Sequence, residues 1–255
     1  MIRGIIFDLN GTLIDILTDE GDLNAWRVLA NYLDYHGISV APEEARDTYF
    51  ELNRRQRGKS CEKYPEFDVI TLFRDLISSR CKSDSGMFPA EINTLAREAA
   101  LVFRAATRFR LQTYPGVNEV LPALQASFRL AALSDGQALW AKPELRSVGL
   151  AHLFPTPIIS SDLGFRKPDR RMFELALGQL GLKPEETIMV GNDMYRDVAG
   201  GAGAGMRTVF FKSNQGDHDF HGVEADYIIY NFNELPRAID FLNRKKLAAE
   251  RNRNR

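Results

Sequence analysis

Six short apolar runs, each bounded by turn residues and separated by longer segments, restrict this chain to one broad architecture. They lie at residues 4–7, 130–133, 158–160, 188–190, 208–211 and 227–229. The runs are too short for helices and lack polar alternation, as expected of strands buried between two layers. Between the later runs, residues 117–126, 139–148, 171–180 and 198–204 repeat apolar side chains at three and four positions, the spacing of a helix with one buried face. Strands alternating with helices make βα units, and such units build a parallel sheet with helices on its faces. The expectation is an α/β fold, a Rossmann-like doubly wound parallel sheet, with ligands at the carboxyl ends of its strands. Asp8, Ser134 and the pair Asn192-Asp193 each stand just past such an end.

The first run is cut off from the others by a stretch of different character. Residues 15–112 show no strand pattern, whereas residues 25–35, 43–57, 68–79 and 90–109 have helical spacing, with Pro42, Pro65 and Pro89 near helix starts. That length is domain-sized. The first strand therefore rejoins its sheet across an all-helical insert. This gives a discontinuous core of residues 1–14 and 113–243, a helical domain of residues 15–112, and a basic C-terminal tail of residues 244–255. The 44% hydrophobic content is ample for both parts.

Charge and cysteine content exclude several partners. With 33 basic and 34 acidic residues, the chain has no overall field to draw nucleic acid or an anionic membrane. Any charged ligand must be met locally. Cys61 and Cys81 lack metal-ligand spacing and are too few for a disulfide framework, which favours reduced thiols and a cytoplasmic setting. Met1-Ile2-Arg3 runs directly into the first strand without a leader pattern. No apolar run approaches the roughly 20 residues of a membrane span.

Four segments carry the chemistry. Asp8-Leu9-Asn10-Gly11-Thr12 puts a carboxylate where a strand opens into a Gly-Thr turn. Ser134-Asp135-Gly136 follows the second run, Gly164-Phe165-Arg166-Lys167-Pro168-Asp169 precedes a helical stretch with Phe173, and Gly191-Asn192-Asp193-Met194-Tyr195-Arg196-Asp197 leads to Ala204-Gly205-Met206. In this order, and with Tyr114-Pro115-Gly116-Val117 after the insert, the chain resembles the haloacid dehalogenase superfamily of hydrolases. An insert between the first two motifs is similar to that family's C1-type cap.

The resemblance implies a magnesium-dependent phosphatase acting on a small phosphorylated metabolite. A phosphoryl group in transfer spreads charge over three oxygens, so a site needs an in-line nucleophile, a divalent cation and fixed donors. Asp8 would be the nucleophile and form an aspartyl phosphate. Ser134, Lys167 and the amides around Asp135 and Gly136 would hold the phosphoryl oxygens. Mg2+, which prefers oxygen ligands, would be held by Asp8, the backbone carbonyl of Asn10 and Asp193, with Asp197 in the metal's outer shell. The fourth motif leaves an ambiguity, because Asn192 stands directly after the glycine and the acid follows it.

Asn10 departs from the phosphatase pattern. In such enzymes the second acid protonates the leaving alcohol and later activates water, and an amide does neither. The departure fits a good leaving group such as an acyl phosphate, an acid supplied from the insert, a binding or regulatory protein that has lost turnover, or an amide introduced to trap a complex. A 2-haloacid dehalogenase also lacks the second acid, but its branch resembles this chain less, having an aromatic residue there and no metal.

The remaining features read as structural. Gly58-Lys59-Ser60 ends like a P-loop, but the required earlier glycine is Asn53. The glycines from Gly200 to Gly205 lack dinucleotide spacing and suit close helix-sheet packing. Asp217-His218-Asp219-Phe220-His221 reads as a polar loop. Arg54, Arg55 and Arg57, with Arg104, Arg108 and Arg110, are candidates to meet an anionic portion of the substrate, against the plainer reading of solvated helix arginines.

Overall fold

The computed structural model describes residues 1–81 and 87–253. Its centre is a parallel sheet built from β1 (Gly4–Phe7), β4 (Arg129–Ser134), β5 (Ile158–Ile159), β6 (Thr187–Gly191), β7 (Arg207–Phe211) and β8 (Tyr227–Ile229), in the order β5-β4-β1-β6-β7-β8. All six expected strands are there. The chain runs from β1 outward through β4 to β5, then crosses to the other side of β1 for β6. The strand order thus reverses around β1, and the crevice at its carboxyl end is where ligands bind in open α/β sheets.

Both faces of β1 are buried: Ile5, Ile6 and Phe7 are fully inaccessible. Ile5 and Phe7 face one apolar layer with α5 (Val117–Gln125), α6 (Ala138–Ser147) and α9 (Leu235–Arg253), while Ile6 faces the other with α7 (Arg170–Leu180). The glycine-rich segment includes α8 (Gly200–Gly203) and packs as expected. A Cβ on Gly200 would lie 2.4 Å from the Phe173 ring, and one on Gly201 2.8 Å from Met189 Cβ. The basic run from Arg244 continues α9 as far as Arg253, so it is helix rather than tail; residues 254–255 lie outside the described ones. Among the described residues no helix is long and apolar enough to cross a membrane.

The insert contains α1 (Leu23–Tyr35), α2 (Pro42–Lys59), α3 (Val69–Ser78) and α4 (Pro89–Thr107). Asp22 and Asp68 cap the first and third by accepting from Asn24 and Thr71 amides, and Pro42 and Pro89 open the second and fourth. Trp26, Tyr49, Phe73 and Phe103 fill its core, with the Trp26 and Phe103 rings 4.4 Å apart. Trp140 of α6 belongs to the same cluster and donates from its indole to Ala100 O at 3.0 Å, fastening insert to core.

One expectation is corrected. Residues 15–112 are not free of strands, because β2 (Ile14–Thr18) and β3 (Arg108–Thr113) pair antiparallel as a two-stranded ribbon at the insert's two ends. The ribbon joins two segments that lie far apart in sequence, so no turn signal announces it. It brings both crossings between insert and core to one place beside the carboxyl end of β1.

Candidate active site

Asp8 follows β1, and the turn after it depends on Gly11. Gly11 has a φ of +87°, and a Cβ there would fall 2.3 Å from the Asn192 amide nitrogen. Only glycine fits both demands. The turn brings the Thr12 hydroxyl 3.0 Å from Asp8 Oδ2 and 3.0 Å from Asn192 Oδ1. Asn192 therefore braces the turn after Asp8, a role its place directly after Gly191 did not reveal.

Lys167 enters from the β5 side, just ahead of α7. Its Nζ donates to Asp8 Oδ1 at 2.6 Å, to Asp197 Oδ1 at 2.7 Å and to Leu133 O at 3.2 Å, so all three of its protons are placed. Burial works to discharge the ammonium, but Asp197, Asp8 and Asp135 outweigh it and hold the pKa above the ordinary lysine value. Asp197 is equally buried, and its Oδ2 accepts from the Asn192 and Asp193 amides, each at 3.1 Å. With both oxygens so used, Asp197 is the counter-ion and anchor of Lys167.

The other expected residues divide. Asp193 is spent on Arg196: its Oδ2 accepts from Arg196 Nε at 2.9 Å and lies 2.7 Å from a terminal nitrogen, and its Oδ1 accepts from the Arg196 and Tyr195 amides. Asp217, from the polar loop, adds its amide at 3.3 Å. Ser134 is buried at the end of β4, with its hydroxyl 3.4 Å from Asp135 O. Asp135 Oδ1 accepts from the Lys167 amide at 2.9 Å, while Oδ2 is buried without a hydrogen-bond partner. Gly136 departs from expectation, because its amide already donates to Ser160 Oγ at 2.8 Å. Ser134 and Lys167 thus stand together at the carboxyl ends of β4 and β1, with the Lys167 ammonium turned to Asp8, Asp197 and Leu133 O.

Asn10 is half-buried and lines a cavity of about 420 Å³ between insert and core, together with Glu20, Arg57, Asp135, Arg166 and Arg196. The closure above it is a clasp that sequence reasoning missed. Residues 64–66 run antiparallel to residues 164–166, with the Arg166 amide donating to Tyr64 O at 2.9 Å and the Glu66 amide to Gly164 O at 3.0 Å. Glu66 Oε2 accepts from the Ser160 hydroxyl at 2.8 Å, and Gln137 Nε2 donates to Phe67 O at 2.9 Å. Backbone pairing of this kind leaves no side-chain signature, whereas Arg196, three residues after Asp193, is a spacing that a search for ion pairs finds.

Four carboxylates, of Asp8, Asp135, Asp193 and Asp197, face two cations, Lys167 and Arg196. Burial pushes the Asp197 carboxyl up to about 7 despite Lys167, and it also raises Asp135, Glu66 and Glu20. A carboxyl raised by folding holds a proton that the unfolded chain has released. Stability therefore falls as pH rises from the ordinary carboxylate range near 4 toward about 7. In chelator, the thermal midpoint should be lower at about pH 7.5 than at about pH 5. A higher midpoint at the upper pH would show that the cluster is balanced without an added cation.

The comparisons agree with this geometry. The family model for haloacid dehalogenase-like hydrolases matches residues 2–205. The chain is 26% identical to a glyceraldehyde 3-phosphate phosphatase of Methanothermobacter thermautotrophicus, covering 89% of this chain and 92% of that one. It is 30% identical to a glyceraldehyde 3-phosphate phosphatase of Methanopyrus kandleri, covering 82% and 83%. Among solved structures, a 2-haloacid dehalogenase from Pseudomonas syringae superposes with a TM-score of 0.71 at 25% identity, covering 94% of this chain and 99% of that one.

Proposed function

The chain belongs to the haloacid dehalogenase-like hydrolase family and is a hydrolase, and on that premise we propose that it removes a phosphoryl group from a small metabolite through Asp8. The observation that carries this reading is Lys167, bridging Asp8 and Asp197 at 2.6 and 2.7 Å at the carboxyl end of β1. Asp8 Oδ2 attacks phosphorus, the bond to the leaving oxygen breaks, and an aspartyl phosphate forms. Ser134 and Lys167 hold phosphoryl oxygens as charge spreads over them. Water then cleaves the acyl phosphate and returns Asp8. Asn10 offers the leaving oxygen no proton, so the reading favours an acyl phosphate, which departs as a stable carboxylate.

The donor set fits a divalent cation. The cluster has more carboxylates than cations, its donors are all oxygens, and Asp135 Oδ2 is buried without a hydrogen bond. Among the described residues, no three His, Cys, Asp or Glu side chains form a ready metal cluster, so a backbone carbonyl must contribute. We assign Mg2+ to Asp8, the Asn10 carbonyl and Asp193, which would exchange its Arg196 contact for the ion, and give Asp197 to Lys167. When bound, the ion would neutralise charge on the phosphoryl oxygens. The free thiols of Cys61 and Cys81 support a cytoplasmic setting.

A second reading, 2-haloacid dehalogenase, is favoured by the lack of an acid at residue 10 and by the similarity to the Pseudomonas syringae structure, and disfavoured by an amide where that branch has an aromatic residue. One set of assays separates the two. Phosphate release from acetyl phosphate and from glycerol 3-phosphate is measured with Mg2+ and with chelator, alongside halide release from 2-chloropropionate. The expected result is acetyl phosphate turnover that stops in chelator, with slow release from the alkyl ester. Halide release that persists in chelator, without phosphate release, replaces the phosphatase by the dehalogenase.

A further inference from the structure

Of two cavities beside the Lys167 loop, one has a charged lining that is mainly basic. Arg57 from α2, Arg166 from the Lys167 loop and Arg196 all line the cavity of about 420 Å³ that contains Asn10. The same three line a second cavity of about 470 Å³, with Lys63, Tyr64 and Tyr195, where Asp217 is the sole carboxylate-bearing residue in the lining. They thus stand between the two spaces, one from the insert and two from the core, at the clasp that closes one over the other.

Their charges are unequally used. Arg196 is held by Asp193, and Arg57 donates to Glu66 Oε1 at 3.1 Å with its face 5.3 Å from the Phe67 ring centre. Arg57 Nε is buried with no hydrogen-bond partner. Arg166 makes no side-chain hydrogen bond or salt bridge among the described residues, and feels Glu66 and Asp135 only at longer range. In the first cavity the carboxylates of Glu20, Glu66, Asp135 and Glu144 stand against the arginines Arg57, Arg104, Arg166 and Arg196, whereas the second has Arg57, Lys63, Arg166, Lys167 and Arg196 against Asp217 alone. The surplus of positive charge therefore lies on the second cavity's side, where the Arg166 side chain has no hydrogen-bonded partner among the described residues and Arg57 has an unfilled donor, and a guanidinium fork matches a carboxylate in shape and charge.

We propose that Arg57, Arg166 and Arg196 form a second anion site, so that the preferred substrate is a phosphorylated carboxylic acid whose carboxylate lies against Arg166 while Asp8 attacks its phosphoryl group. This rests on the phosphatase reading above and names the substrate class within it. The site also separates this chain from relatives named for glyceraldehyde 3-phosphate, an ester with no carboxylate.

The test compares 3-phosphoglycerate with glycerol 3-phosphate, which differ by a carboxylate against a hydroxymethyl group. Affinities are measured by calorimetry in chelator and, with Mg2+ present, in the Asp8→Asn background, and phosphate release from both esters and acetyl phosphate is measured separately with Mg2+. The carboxylate ester should bind at least about tenfold more tightly, the scale of one charge-assisted hydrogen bond. Arg166→Gln should bring that ratio near one without weakening glycerol 3-phosphate, and Arg166→Lys should keep part of it. Equal affinities, no binding of either ester, or a preference untouched by Arg166→Gln overturns the anion site. Phosphate release without the preference sinks this inference alone. The Arg166-dependent preference with no phosphate released from any of the three compounds sustains the anion site and sinks the phosphatase reading.

Discussion

Asp8→Asn should abolish phosphate release, by on the order of 10⁵-fold or more, because on the proposed mechanism it removes the carboxylate that forms the covalent intermediate. The substitution keeps size and shape, so the turn at Gly11 and the Thr12 contact have no steric reason to change. The buried cluster loses one of its four carboxylates, and Lys167 keeps Asp197 at 2.7 Å and Leu133 O at 3.2 Å. Asp8 is among the groups that raise the Asp197 carboxyl, so its neutralisation relieves that repulsion. The variant should therefore fold with a thermal midpoint close to that of the starting chain while releasing no phosphate. Retention of more than about one hundredth of the metal-dependent rate on acetyl phosphate would sink Asp8 as nucleophile, since no route through an amide leaves that much.

The residues that could be read from sequence are those whose roles follow from strand ends. Asp8 and Ser134 each follow a buried run, and a parallel sheet can bring the carboxyl ends of β1 and β4 to one crevice; Asn192 follows one too, but its bracing of Thr12 needed the structure. Lys167 was legible by resemblance, and its distances to Asp8 and Asp197 give the resemblance a physical meaning. What escaped is what depends on contacts between distant segments. The β2–β3 ribbon pairs Ile14 with Thr113 and Thr18 with Arg108. Its second strand, Arg108-Phe109-Arg110-Leu111, alternates arginine with apolar residues directly after a helix, so the two-residue period is masked by the preceding three-four spacing. Phe109 is 61% exposed, which explains why the ribbon leaves little hydrophobic signal. The clasp between residues 64–66 and 164–166 is carried by main-chain groups and is invisible in residue identities. The arginines were visible as clusters, but which of them face the cleft was not. Arg57 and Arg104 line the cavity, whereas Arg110 pairs with Asp15 at 2.8 Å.

Asn10→Asp should raise turnover of an alkyl phosphate by about 10² to 10⁴-fold, the usual contribution of a positioned general acid and equivalent to roughly 3 to 5 kcal/mol of barrier. The position suits the task, since Asn10 is half-buried and borders the cavity in which the leaving group must lie. The new carboxyl would enter a cluster already rich in acids, and repulsion from Asp135 and Asp193 would raise its pKa toward the range where a general acid works at neutral pH. Arg196 lines the same cavity and balances part of that charge. The kcat/KM for acetyl phosphate, which reports formation of the aspartyl phosphate, should gain little because its leaving carboxylate needs no proton, while its kcat can rise through activation of the hydrolytic water. The measurement is kcat/KM for glycerol 3-phosphate and acetyl phosphate with both chains. A large gain confined to the alkyl ester shows that the site is a phosphatase site matched, through one amide, to good leaving groups. No gain on the alkyl ester means that proton delivery does not pass through residue 10, and Glu20, which lines the same cavity and whose carboxyl burial raises, becomes the group to replace next.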